Sequence, residues 1–329
     1  MEKTAQLSDI ERKEVFSETA NIKSISPAII EKDFWVCWTL KRVFEHPTLS
    51  KLLMFKGGTS LSKVFHLIER FSEDIDMILD WRLVSSQDPL EHLSKTKQDK
   101  LNKEINKHAI EYIADELLPL IQETIEPTCS CSIDNENPHN INIKYPSAFS
   151  DDYLRPEVLL EIGPLASWLP SDSYSIRPYA AEAFPDVIRQ AECKVNAIKA
   201  ERTFWEKATI LHHEAYRPGA NPQPSRYSRH YYDMYMMANS KIKEIALNNL
   251  SILEDVVDFK KRFYPRGWAN YDLAKPGTIK LIPNDHILEN LKKDYKAMEN
   301  MIYGDYPDFN ELISGIRLLE QEINNLSAT

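Results

Sequence analysis

"FKGGTSLSKVFHLIERFSEDIDMILD", residues 55–80, carries adjacent glycines at 57 and 58. After one intervening segment come two aspartates, Asp74 and Asp76, spaced i, i+2 in an apolar run. The lead-in "KLLMFKGG" reads as a short buried strand ending at Gly57-Gly58. "TSLSKVFHLIERF" reads as an amphipathic helix opened by Thr59 or Ser60, and "EDIDMILD" as the next strand. Residues two apart on a strand share a face, so Asp74 and Asp76 aim their oxygens at one spot. Like charges held that close repel, and keeping both ionised calls for a cation. Mg²⁺, or Mn²⁺ in its place, suits the pair: a hard ion that takes one or two carboxylates and completes its shell from substrate phosphates. Two such ions can clamp the attacking and leaving oxygens of a phosphoryl displacement. The plain alternative is two solvent-facing aspartates on an edge strand. Gly57-Gly58 bears on that choice, because a turn without Cβ atoms lets a phosphate approach the main chain and the N–H groups opening the next helix favour an anion. A glycine pair alone suits any tight turn; beside two carboxylates it points to phosphate chemistry. No P-loop pattern G-x-x-x-x-G-K-[ST] occurs in the chain.

Working outward, 329 residues leave room for two domains. A net charge of -10 argues against a surface built wholly for nucleic acid, although a local basic patch remains compatible with it. No run approaches the length of a membrane span, and the polar start MEKTAQLSDIERKEVF has no signal-peptide core. Four cysteines at 37, 129, 131 and 193 form no disulfide framework, so a reducing cytoplasm is the expected setting. The first 46 residues read as helical, with Ser26 as N-cap and Pro27 at the first helical position of "SISPAIIEKDFWVCWTLKRVFEH". A long charged helix is expected over 88–126, then strands around "TCSCSID", "HNINIKYP" and "RPEVLLEIGP". Helices are expected over 190–214, 227–262 and 284–326. The expected fold class is α+β: a small mixed sheet flanked by helices, with a mainly helical C-terminal half. The expected division is a core of residues 1–165 and a helical domain of residues 166–329 that completes the active-site cleft.

"GGTSLSKVFHLIERFSEDIDM" resembles the signature of the polymerase beta-like nucleotidyltransferase superfamily: a glycine pair, a helix, then two acidic residues on the following strand. More closely, the chain is similar to the AbiEii/AbiGii family, the toxin halves of type IV toxin–antitoxin and abortive-infection pairs. The shared features are the GGT start and an Arg-x-Ser-x-Asp-hydrophobic-Asp end, here Arg70, Ser72, Asp74 and Asp76. "EKDFW" at 31–35 resembles a recurring N-terminal element of that family. "FWEKATILHHEAYR" resembles its lysine-bearing helix, placing that lysine at Lys207, and "SRHYYDMYMM" places a late aspartate at Asp233. The likeness extends to about residue 240. It implies an NTP bound by its phosphates on Gly57, Gly58, Thr59, Ser60, Ser72 and Lys207, with Mg²⁺ on Asp74, Asp76 and a third carboxylate. For that third position "EVLLEIG" offers Glu157 and Glu161, and Glu161, inside the apolar run, is preferred; it would also help take the proton of an attacking hydroxyl. The catalytic set is then Asp74, Asp76, Glu161, Lys207 and Asp233. The implied reaction moves NMP from an NTP to an acceptor, RNA with a tRNA end as one candidate, with release of pyrophosphate, in a toxin neutralised by a cognate antitoxin.

Each role has a plainer counterpart. Glu161 would be an edge-strand glutamate paired with Arg155 or another base. Ser72 would be a turn residue, and Thr59 and Ser60 ordinary caps. Lys207 would answer to Glu206 or a core carboxylate, and Asp233 would anchor Arg229 by an i, i+4 pair. Lys32 and Lys56 are further basic candidates. His212, His213, Glu214 and His230 suggest zinc only weakly, because adjacent histidines on a helix diverge by about 100°. The loop bearing Arg217, Arg226 and Arg229 is the best local basic patch. Two rival functions stand beside the lead: nucleotidyl transfer to a small molecule, as in antibiotic modification, and a non-catalytic nucleotide-binding or interaction module.

Overall fold

The structure, a computed structural model, describes residues 1–72, 74–149 and 155–326. The chain divides into two units, one of Met1–Val64 with Phe71–Ile198 and one of Phe65–Arg70 with Lys199–Thr329.

The first unit runs α1 (Glu2–Ala5), α2 (Asp9–Lys23), α3 (Pro27–Glu45), α4 (Leu49–Leu52), β1 (Leu53–Lys56), α5 (Gly57–Lys63), β2 (Asp74–Leu79), α6 (Lys95–Tyr112), α7 (Leu118–Ile125), β3 (Ser130–Ile133), β4 (Asn140–Lys144), β5 (Glu157–Gly163), β6 (Ser171–Ile176), α8 (Tyr179–Ala183) and β7 (Cys193–Ile198). Its strands form a seven-stranded mixed sheet, among the described residues, in the order β3-β4-β5-β2-β1-β7-β6. β1 pairs antiparallel with β2 and parallel with β7, and β2 pairs parallel with β5. Strict alternation shapes the centre. Val158, Leu160 and Ile162 of β5 and Ile75 and Met77 of β2 are buried, while Glu157, Glu161, Asp74 and Asp76 lie on part-buried positions of the opposite parity. α3 lies along β7 and β5 and brings Phe34, Trp35 and Trp38 fully into the core.

The EKD of "EKDFW" is buried as well, and each of its charges ties down a different segment. Glu31 accepts from the N–H groups of Ala148 (2.7 Å) and Phe149 (3.1 Å), which fixes the chain after β4. Lys32 donates to the carbonyl of Arg155 at 3.2 Å, at the entry to β5. Asp33 meets Lys63 of α5 at 2.7 Å and accepts from the N–H of Tyr179 at 2.7 Å. Lys63 is itself buried; burial disfavours its charge, and the neighbouring Asp33 carboxylate outweighs that penalty and holds the ammonium above its ordinary pKa.

The second unit is helical: α9 (Ala200–Ala215), α10 (Arg229–Ala238), α11 (Lys241–Leu247), α12 (Leu250–Phe263), α13 (Asp285–Ala297) and α14 (Phe309–Asn324). α10, α11 and α12 pack around α9. α14 packs on α10 at Gly315, where a Cβ would fall 2.6 Å from the ring of Tyr235.

Several sequence expectations give way here. The helix expected over 59–71 stops at Lys63. His66 then takes a left-handed φ of 51°, and residues 65–70 leave the first unit for the second. "KLLM" begins as the helical turn α4 rather than as strand. The helix expected from 88 starts at Lys95 and carries a π-helical turn at Ile113–Leu117. The helix expected over 190–214 starts at Ala200, because "CKVNAI" alternates buried and exposed residues and enters the sheet as β7. With β6 and β7 included, the sheet runs on to Ile198. The stretches 227–262 and 284–326 are interrupted helices, the second broken before Pro307.

Candidate active site

The carboxylates of the first unit stand in register. Asp76 pairs with Lys56 of β1 on one side and with Glu161 of β5 on the other, and Glu161 pairs in turn with Asn140 of β4. Registered partners on neighbouring strands present side chains to the same face, so Lys56, Asp76, Glu161 and Asn140 form one row across the sheet. Asp74 lies on the same face, two residues before Asp76. Glu157 is set apart by its own partner, Arg155 at 3.8 Å, so the arginine considered for Glu161 serves Glu157.

Gly57 completes this arrangement. Its φ of +82° is a left-handed conformation, and a Cβ built on it would fall 1.8 Å from Oδ2 of Asp76. The Asp76 carboxylate therefore occupies the space that glycine's missing side chain leaves. Thr59 and Ser60 are buried and commit their hydroxyl protons to main chain: Thr59 Oγ1 donates to the Asp74 carbonyl at 2.5 Å, and Ser60 Oγ to that of Gly57 at 2.8 Å. The first of these bonds pins the start of β2 to α5. Ser72 lies part-buried in irregular chain just ahead of β2.

Three carboxylates and one ammonium on one part-buried face are a hard-oxygen donor set with excess negative charge. That chemistry fits a divalent cation of the Mg²⁺ type. Among the described residues no three His, Cys, Asp or Glu side chains converge into a complete ligand group. A cation held by the aspartates would thus take further oxygens from phosphate and water, the usual habit of Mg²⁺.

The other two predicted residues meet in the second unit. Asp233, with no exposed side-chain surface, accepts from Arg70 Nε at 2.6 Å on Oδ1 and from Arg70 Nη2 at 2.8 Å on Oδ2. Lys207 Nζ lies 2.8 Å from the same Oδ2 and 3.1 Å from Nδ1 of His230. Asp233 is thus ion-paired with Arg70 and Lys207 instead of the Arg229 its helical spacing suggested. Burial would raise the Asp233 carboxyl, but the two cations overcome that and hold it well below the ordinary carboxylate range. Burial lowers the Lys207 ammonium, and Arg70 adds to the lowering against the pull of Asp233. His230 is kept neutral by burial and by Lys207, so its Nδ1 can accept a hydrogen bond from the lysine ammonium. Arg70, seen in the sequence only as a motif letter, is thereby the central donor of this cluster. The signal that could have found it is an arginine standing among the apolar neighbours of "LIERF".

The remaining candidates are bound into structure. His212 uses both ring nitrogens, on the carbonyl of Asn270 (3.0 Å) and the N–H of Lys280 (3.1 Å). His213 and Arg217 both pair with Glu214. Asp294 takes the N–H groups of Arg226 and Ser228, which orders the end of the basic loop.

A family profile described as nucleotidyl transferase AbiEii toxin, type IV TA system, matches residues 38–315. Two solved structures are similar to the chain along most of its length, at low sequence identity. MenT4, a nucleotidyltransferase toxin from Mycobacterium tuberculosis, is 13% identical with a TM-score of 0.46, covering 95% of this chain and 97% of its own. JHP933 from Helicobacter pylori is 14% identical with a TM-score of 0.45, covering 91% and 93%. Comparison with curated protein sequences gives no match.

Proposed function

The chain belongs to the AbiEii nucleotidyl transferase toxin family of type IV toxin–antitoxin systems, and from that premise we propose that it transfers NMP from an NTP to a hydroxyl of an RNA acceptor, a tRNA being the favoured kind. The setting is the cytoplasm, and a cognate antitoxin protein neutralises the activity. No helix among the described residues is long and apolar enough to cross a membrane. The observation that carries the reading is the seating of Asp76: its carboxylate lies against the bare α-carbon of Gly57 and in register with Glu161.

In this reading Asp74 and Asp76 hold Mg²⁺ or Mn²⁺, which when bound neutralises phosphate charge and polarises the phosphorus under attack. The main chain at Gly57-Gly58 lets the polyphosphate lie close, and Ser72 adds a hydroxyl donor. Glu161 accepts the proton of the acceptor hydroxyl as its oxygen bonds to the α-phosphorus. The bond from that phosphorus to the bridging oxygen breaks, and pyrophosphate leaves with the electron pair. Lys207 supplies a cation to the phosphates, and Asp233 acts through Lys207. Positioning and charge neutralisation account for the rate, as in other phosphoryl transfers.

The test is incubation with α-labelled NTPs, divalent metal, and separate RNA, protein and small-molecule acceptors. Label is expected in RNA alone and absent for Asp76→Asn. Label in a small acceptor alone would replace the RNA assignment, and no transfer to any acceptor would remove the enzymatic reading.

A further inference from the structure

Arg70 and Lys207 share one carboxylate, yet they hold it differently. Arg70 takes both oxygens of Asp233 with its planar fork, and its side chain is only 3% exposed. Lys207 touches just one of those oxygens, already occupied by Arg70, and keeps 10% exposure, the largest of the three. A guanidinium fork is pre-organised, whereas an ammonium sits on a flexible stem with rotatable donors. Arg70 is moreover fixed through its backbone. It forms a β-bridge with Ile302, and the carbonyl of the preceding Glu69 accepts from the N–H groups of Tyr303 (2.9 Å) and Gly304 (3.3 Å). Asp305 N–H donates to the Glu69 carboxylate at 3.1 Å, and a Cβ on Gly304 would fall 1.8 Å from that carboxylate. This clamp puts Arg70 in place whatever Lys207 does.

The geometry points to Arg70 as a positioning residue for nucleotidyl transfer: by taking both oxygens of Asp233 it leaves Lys207 a single, shared contact there, so that the lysine ammonium can also turn to an anionic substrate. The inference rests on the reading of Lys207 as the cation that meets phosphate. The neighbours of Lys207 and Asp233 on α10 are Arg229 and the neutral His230. The depressed ammonium of Lys207 fits the same picture, because Arg70 opposes its charge while Asp233 supports it.

Two measurements separate this inference from the function it rests on. The first is the pH profile of Lys207 acylation, by competitive labelling with acetic anhydride and peptide mass spectrometry, which needs no nucleotide. Arg70→Met should move the midpoint to higher pH, because Asp233 then holds the lysine alone. Asp233→Asn should move it lower, and adding Arg70→Met to that variant should raise it again. The last pair carries the test if Arg70→Met alone fails to fold. The second is binding of a non-hydrolysable NTP analogue. Arg70→Met should weaken it by about tenfold, the loss of one charge-assisted contact, and the Arg70→Met/Asp233→Asn double variant should recover most of that loss. A purely structural role for Arg70 predicts no recovery. Labelling midpoints that do not respond to Arg70 in either background overturn the inference; midpoints that shift while no protein binds nucleotide preserve the role of Arg70 and overturn the assignment of Lys207.

Discussion

The two groups of charged residues in this protein solve opposite problems. On the sheet of the first unit, Asp74, Asp76 and Glu161 crowd one part-buried face with Lys56 as the registered cation. In the second unit, Asp233 is sealed from solvent with two cations on its oxygens. The first arrangement gathers carboxylate oxygens that can serve a ligand from outside; the second satisfies its carboxylate from within. Carboxylates gathered on one open face mark chemistry, whereas compensated buried charges mark architecture or the placing of one working group.

Substitutions should therefore fall into two patterns. Asp76→Asn is expected to lower nucleotide transfer by about a thousandfold while leaving the melting temperature unchanged or raised, since it relieves repulsion; steady-state assays beside thermal melts will show both. Asp233→Ala should do the reverse in stability, costing about 3–5 kcal/mol because Arg70 and Lys207 both lose the buried carboxylate they share, as read by urea unfolding. An Asp76 variant that unfolds, or an Asp233 variant as stable as the parent, would erase the distinction.

Acid should act on the compensated region. Burial alone would raise the Glu214 carboxyl, but hydrogen bonds from His213 and Arg217 bring it to about 2, against an ordinary 4.5. A depressed carboxyl gives stability that is fully present above pH 4.5 and lost as pH falls toward 2. The loss is on the order of 3 kcal/mol, and Glu214→Gln should flatten the stability profile across that window. The smallest effect is expected of Gly57→Ala, about 2 kcal/mol of backbone strain at a left-handed φ. The added Cβ would also displace Asp76, so this variant should lose transfer activity far beyond its stability cost.

What the sequence disclosed follows the same division. The shared face of Asp74 and Asp76 and the bare turn at Gly57 are legible because that geometry is local: strand parity fixes the face, and the turn needs glycine. Preference for Glu161 over Glu157 came from its place within an apolar run, and Glu161 is the glutamate in register with Asp76. β7 was obscured because its six residues lead almost directly into α9, so strand and helix patterns merge, and its partner β1 lies far back in the chain. The pairing of Arg70 with Asp233 spans 163 residues, and it depends on the chain leaving one unit for the other at 65–70. No local periodicity announces such a departure; the left-handed His66 that accompanies it is not a residue type that signals a break.

The most direct test of the central claim is equilibrium binding of Mn²⁺, followed by electron paramagnetic resonance with an NTP analogue present, for the parent protein and for Asp74→Asn/Asp76→Asn. The account predicts protein-dependent Mn²⁺ binding in the parent that disappears in the double variant while its fold is retained. Equal Mn²⁺ binding by the two proteins would contradict it.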